Sequence, residues 1–144
     1  MLSHVHIGVT DFDRAFAFYK GLMDELGFQL KFVELERPWA GWVQPGRERP
    51  LVLIGRPYDG EQASPGNGQM VALLAPTRNA VDRSYAKALA TGGQDEGGPG
   101  LRPHYHPNYY GAYIRDPDHN KLCICCHEWE PALGPLVPAT SHGP

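Results

Sequence analysis

Three groups of residues in this chain have types and spacings that could do chemistry. His4 and His6 hold alternate positions of a segment that reads as a strand, so their imidazoles share one face, about 7 Å apart. Cys123, Cys125 and His127 alternate in the same way, opposite Leu122, Ile124 and Cys126. Between these segments, Arg102, His104, Tyr105, His106, Tyr109 and Tyr110 make the densest polar and aromatic cluster of the chain. Imidazoles and thiols are zinc-type ligands. Arg102 can clamp a carboxylate or phosphate, His104 or His106 can move a proton near neutral pH, and the tyrosines offer stacking surface and hydroxyl donors. A plainer reading stands beside each of these. The cysteines can be small packed hydrophobes, His6 a hydrogen-bonded wall residue, and the cluster a solvated loop, since Pro103 and Pro107 favour an exposed segment.

Trp39 and Trp42 lie at odd separation on a second strand candidate, so only one of them can face a binding cup while the other goes to core or a subunit contact. Phe16 and Tyr19 have helical spacing and read as core. His119, in a turn, and His142, near the end, read as exposed. There is no phosphate-cradling loop: Gly97-Gly98-Pro99-Gly100 contains proline and lacks the Lys-Ser/Thr ending. Nucleophile elbows and paired carboxylates are equally missing.

The elements that must position these residues come from a unit that occurs twice. Residues 4–9 alternate as a half-buried strand, and after Asp11 the apolar positions Phe12, Ala15, Phe16, Tyr19, Leu22, Met23 and Leu26 follow a helical period that Gly27 can end. The unit recurs 66 positions later: a strand over 70–75, Thr77 in place of Asp11, a helix over 77–91, and Gly93 in place of Gly27. The first helix is followed by strands over 28–36, 39–43 and 51–54. The second is followed by a Gly- and Pro-rich stretch over 94–106, at best a short irregular strand, then by strands over 109–115 and 121–128. Asp116-Pro117-Asp118-His119-Asn120 reads as the turn between the last two. The organisation is thus one domain over 1–130, with module 1 in 1–56, a linker in 57–68, module 2 in 69–130 and a Pro-rich tail over 131–144.

The chain has 144 residues, enough for one compact domain, while either half alone would be marginal. A formal charge of −3 with mixed signs gives no reason to expect nucleic acid or an anionic membrane surface. No run is apolar enough to span a bilayer. Three cysteines crowded at 123, 125 and 126 make a poor disulfide framework, which points to a reducing cytoplasm.

The order of these elements resembles the vicinal oxygen chelate superfamily, which holds glyoxalase I, bleomycin-resistance proteins and extradiol dioxygenases. The likeness covers about residues 2–128. It rests on His4 seven positions before Asp11, Phe18-Tyr19, Ala80-Val81-Asp82, the Gly-Gly-Pro-Gly-Leu-Arg-Pro-His-Tyr run over 97–105, and the Asp-Pro-Asp turn. It implies an α+β fold of two βαβββ modules, each giving half of a curved, mostly antiparallel sheet around a small-molecule cup. A divalent metal (Zn, Mn, Fe or Ni) often lies on the floor of that cup, where it polarises substrate oxygens beside a base.

Metal-dependent members take ligands from the first and last strands of each module. Here His4 fills the first position, but its counterpart is Met70, a poor ligand for such ions. Residues 51–55 offer neither imidazole nor carboxylate, and Cys123 stands where the resemblance implies Glu. His4 and Cys123 fall short of the three protein ligands of a catalytic zinc. A soft site of His4, His6, Cys123 and Cys125 would need both faces to line the cup, and a metal-free protein is the expectation. Three function readings follow: a metal-assisted lyase, isomerase or dioxygenase; a metal-free protein of bleomycin-resistance type that sequesters a small aromatic or cationic compound; and a dimerised scaffold whose cup has lost both roles. In the second, His6, Trp39 or Trp42, Arg102, His104, Tyr105 and Tyr109 would hold the ligand. A homodimer is expected, because two small curved halves leave much sheet to cover.

Overall fold

A computed structural model describes residues 1–131 of the chain, so His142 and nearly all of the tail lie outside the described residues. Strand β1 (His4–Gly8) leads into helix α1 (Phe12–Leu26), followed by β2 (Gln29–Glu34), β3 (Trp39–Val43) and β4 (Leu51–Gly55). The second module repeats the order with β5 (Val71–Leu74), α2 (Arg78–Ala90), β6 (Gln94–Leu101), β7 (Tyr110–Arg115) and β8 (Lys121–Cys126). Each module makes its own four-stranded sheet, in the orders β1-β4-β3-β2 and β5-β8-β7-β6. Each sheet is mixed: β1 runs parallel to β4 and β5 to β8, while the other neighbours are antiparallel. The sheets do not close into a barrel.

Local chemistry accounts for the helix limits. Asp11 accepts a hydrogen bond from the Arg14 N–H at 3.1 Å, and Thr77 does the same for Ala80 at 3.0 Å, each satisfying an orphan donor of its first turn. Gly27 ends α1 in the left-handed region (φ 78°), which costs a residue without Cβ little.

The two modules superpose in register. The Val9 N–H donates to Gly55 O at 2.9 Å, and the Ala75 N–H donates to Cys125 O at 2.8 Å. The first strands are therefore offset by 66 (9 to 75) and the last by 70 (55 to 125). Met70 is the counterpart of His4, one residue ahead of β5, and Leu53 is the counterpart of Cys123. The expectation of only a short irregular strand within 94–106 is corrected: β6 has eight residues, held by β7 through two register shifts. The last strand stops at Cys126, not at 128.

One core joins the modules. Phe18, Tyr19, Leu22 and Met23 of α1 are fully covered, and they meet Ile54, Ile114 and Ile124 from the helix-facing sides of both sheets. Alternation sends every second strand residue to the other, open side. The turn after β7 ties module 2 to module 1. The Tyr19 hydroxyl donates to Asp116 at 2.6 Å, Asn120 Nδ2 to Gly8 O at 2.9 Å, and the Thr10 N–H to Asp118 at 3.0 Å. Among the described residues no helix is long and apolar enough to cross a membrane.

Candidate functional site

Two of the hollows on the open sides of the sheets gather candidate residues. The larger, of about 900 Å³, lies on module 2 and is walled by Tyr105, His106, Tyr109, Tyr113 and His127, with Arg115, Lys121 and the 65–70 segment completing it. The other, of about 610 Å³, lies on module 1 between His6, Trp39, Tyr58, Arg37 and Arg56.

The wall of the larger hollow is a hydrogen-bonded chain with a direction. The Asn108 N–H donates to His106 Nδ1 at 3.2 Å, so that nitrogen must present its lone pair. A neutral His106 then carries its proton on Nε2 and donates to His127 Nδ1 at 2.7 Å. His127 in turn carries its proton on Nε2, 3.6 Å from Cys125 Sγ. On the far side, Tyr109 Oη lies 3.3 Å from Cys123 Sγ and 3.0 Å from the Tyr113 hydroxyl. Tyr109 reaches the sulfurs because residue 111 is glycine: a Cβ there would sit 2.9 Å from Tyr109 Cε1.

Charge and burial set the protonation of this wall. The Cys123 thiol is pulled down to about 6, chiefly by the neighbouring Cys125 thiol, with help from Tyr109, Tyr113 and the Arg102 charge against the cost of burial. Cys125 is pushed up by the same partnership and by burial. Burial, then the contacts to Cys123 and Tyr113, raises Tyr109. His106 is lowered by burial first and then by His127, and His6 by burial and then by His4.

Because the folded chain holds His6 and His106 below the ordinary histidine value, the unfolded chain binds more protons just under it. The stability these two histidines contribute is therefore complete above about pH 6.5 and falls as pH drops through that value toward the lower folded ones. Thermal midpoints measured from about pH 8 down to about pH 5 should decline, and less steeply in His106→Asn.

The residues singled out from sequence divide among three places. Tyr105 and Tyr109 pack at 4.9 Å with their rings tilted 45° in the larger hollow, with His104 against Tyr105 at 4.2 Å on its outer side. Arg102 donates to Gly98 O at 2.7 Å and holds its guanidinium 5.7 Å from the Tyr113 ring centre. His6 and Trp39 face the smaller hollow, and Trp39 Nε1 donates to Glu34 at 2.8 Å. Trp42 turns the other way, into the core against Phe16 and Tyr19. His4 is exposed and bonded to Ser3 at 2.9 Å, while Cys123 is buried behind Tyr109. Tyr113, Lys121 and the working partnership of His106 with His127 escaped the sequence reading. Alternation along two strands joined by a tight turn carried the signal, since that pairing sets Tyr113 opposite Cys123.

The donor set does not suit a divalent catalytic metal. Met70 offers a thioether and Leu53 a hydrocarbon at two of the four positions, and among the described residues no three His, Cys, Asp or Glu side chains converge.

A duplicated βαβββ chain with an open, aromatic, ligand-poor cup is the class that fold and site define. The profile of the Glyoxalase/Bleomycin resistance protein/Dioxygenase superfamily matches residues 1–124, and the chain belongs to that superfamily. A glyoxalase/bleomycin resistance protein from Albidiferax ferrireducens T118 is 32% identical, with 89% of this chain and 99% of that one covered and a TM-score of 0.76. A superfamily enzyme from Burkholderia phytofirmans PsJN (23% identity, 88% and 98% covered, TM-score 0.64) shares the fold. So does a lactoylglutathione lyase from Agrobacterium tumefaciens (19% identity, 88% and 92% covered, TM-score 0.57). No curated protein matches the chain.

Proposed function

We propose that this chain is a metal-independent small-molecule binding protein, related in mode to the bleomycin-resistance branch of its superfamily. The observation that carries the reading is the roughly 900 Å³ hollow walled by three tyrosines and two histidines, with Lys121 and Arg115 at its edge. The tyrosine faces suit an aromatic ligand, and Lys121 suits an anionic group on it, since Arg115 is already paired with Glu96 at 2.8 Å, so an aromatic carboxylate is the fitting class. A second copy of the chain, lying over the open sides of the sheets, would close the hollow from above.

One experiment tests this reading. A thermal-shift panel of aromatic carboxylates should contain members that raise the midpoint, because a ligand bound only to the folded state stabilises it. Tyr109→Ala should abolish the rise, and His4→Ala should leave it intact. A panel without effect, or a rise unchanged in Tyr109→Ala, rejects the binding reading.

A further inference from the structure

Behind the wall of the larger hollow lies a feature that small-molecule binding does not use. Cys123 and Cys125 hold alternate positions of β8, opposite Tyr113 and Gly111, and both point to the open side, while Cys126 points into the core. All three are free thiols. The pair is nonetheless closed off from water: Cys123 is 0% exposed and Cys125 4%. The closure is the Tyr109 ring, which crosses Gly111 and ends with its hydroxyl 3.3 Å from Cys123 Sγ. His127 covers the far end, 3.6 Å from Cys125 Sγ.

Around the pair, the Tyr109 hydroxyl and His127 Nε2 lie within reach of the sulfurs, and no carboxylate is among these contacts. Thiolates prefer soft ions and discriminate against Mg²⁺, Ca²⁺ and Mn²⁺. A metal–thiolate bond of about 2.3 Å lets one ion bridge two sulfurs about 4–5 Å apart. Cysteines two apart on one strand face, with Cα atoms about 7 Å apart, reach that separation by choice of rotamer. A two-coordinate ion also needs no third ligand, which accords with the absence of any three converging ligands among the described residues.

We propose that Cys123 and Cys125 form a two-sulfur site for a soft monovalent ion of the Cu(I) or Ag(I) kind, roofed by Tyr109. The site differs from the divalent positions of the first and last strands in that it uses neither His4 nor Met70. It also lies on the opposite side of the Tyr109 ring from the proposed small-molecule ligand.

The test is an anaerobic titration of the reduced full-length chain with Cu(I) against a chromophoric Cu(I) chelator. One ion per chain is expected. Cys123→Ser and Cys125→Ser should each weaken binding by more than the roughly 10–100-fold that loss of an outer partner costs, and His4→Ala should leave it unchanged. X-ray absorption of the loaded wild-type chain, which needs no variant to fold, should show two sulfur neighbours. Binding undiminished in the double cysteine variant, or a shell of nitrogen and oxygen alone, overturns the assignment.

Discussion

Asp116→Ala is expected to lose about 3–5 kcal/mol of folding free energy, read as a fall in thermal midpoint of roughly 10–20 °C. The carboxylate is 1% exposed and accepts four hydrogen bonds: from Tyr19 at 2.6 Å, from the Asp118 and Asn120 N–H groups at 2.8 Å each, and from Asn120 Nδ2 at 2.9 Å. Truncation strands a buried phenol and two turn amides together, and each stranded group costs about 1–3 kcal/mol. It also loosens Asn120 and Asp118, which hold Gly8 and Thr10 of the other module. Tyr19→Phe should cost less, about 1–2 kcal/mol, because three partners remain on the carboxylate. The double variant should fall short of the sum, since both changes remove the same bond. Full additivity in chemical denaturation would deny that Tyr19 and Asp116 act as a pair.

Trp42→Ala should be as damaging, at about 3–5 kcal/mol, the usual range for emptying a buried aromatic site. Trp42 is 1% exposed, stacks on Phe16 at 5.9 Å and leans on Tyr19 at 6.4 Å, so its loss opens a cavity between β3 and α1. Its Nε1 has no hydrogen-bond partner among the described residues. Trp42→Phe therefore removes an unpaired donor along with some volume and should retain most of the stability. Were alanine and phenylalanine equally harmful, the ring's hydrocarbon bulk could not be what Trp42 supplies.

Much of this architecture can be read from the residues because its signals are local. Helix α1 announces itself through an unbroken apolar stripe between Asp11 and Gly27, and the 66-residue offset by itself pairs His4 with Met70. Strand β6 hides because Gly97, Gly98, Pro99 and Gly100 carry no side-chain alternation; β7 imposes its order from outside. The candidate site is half legible for the same reason. Residue types mark Tyr105, Tyr109 and Cys123, but the 2.7 Å meeting of His106 and His127 spans 21 residues and follows from how the 102–109 segment folds back over β8. The choice between Trp39 and Trp42 likewise needed the helix to show which side of β3 it covers.

The repeat also has an inexact place with a mechanical outcome. Trp39 faces Gly55 across the strands of module 1, and Gly111 faces Cys125 in module 2, so tryptophan and glycine occupy equivalent points. Module 1 grows its bulky ring from the strand itself, whereas module 2 leaves the strand bare and borrows a phenol from Tyr109, just ahead of β7. The thiol chamber thus has a hinged door, not a fixed shutter: rotation about the bonds of one side chain can unlatch it with every ladder bond of the sheet still made. Cargo can come and go there without the scaffold yielding.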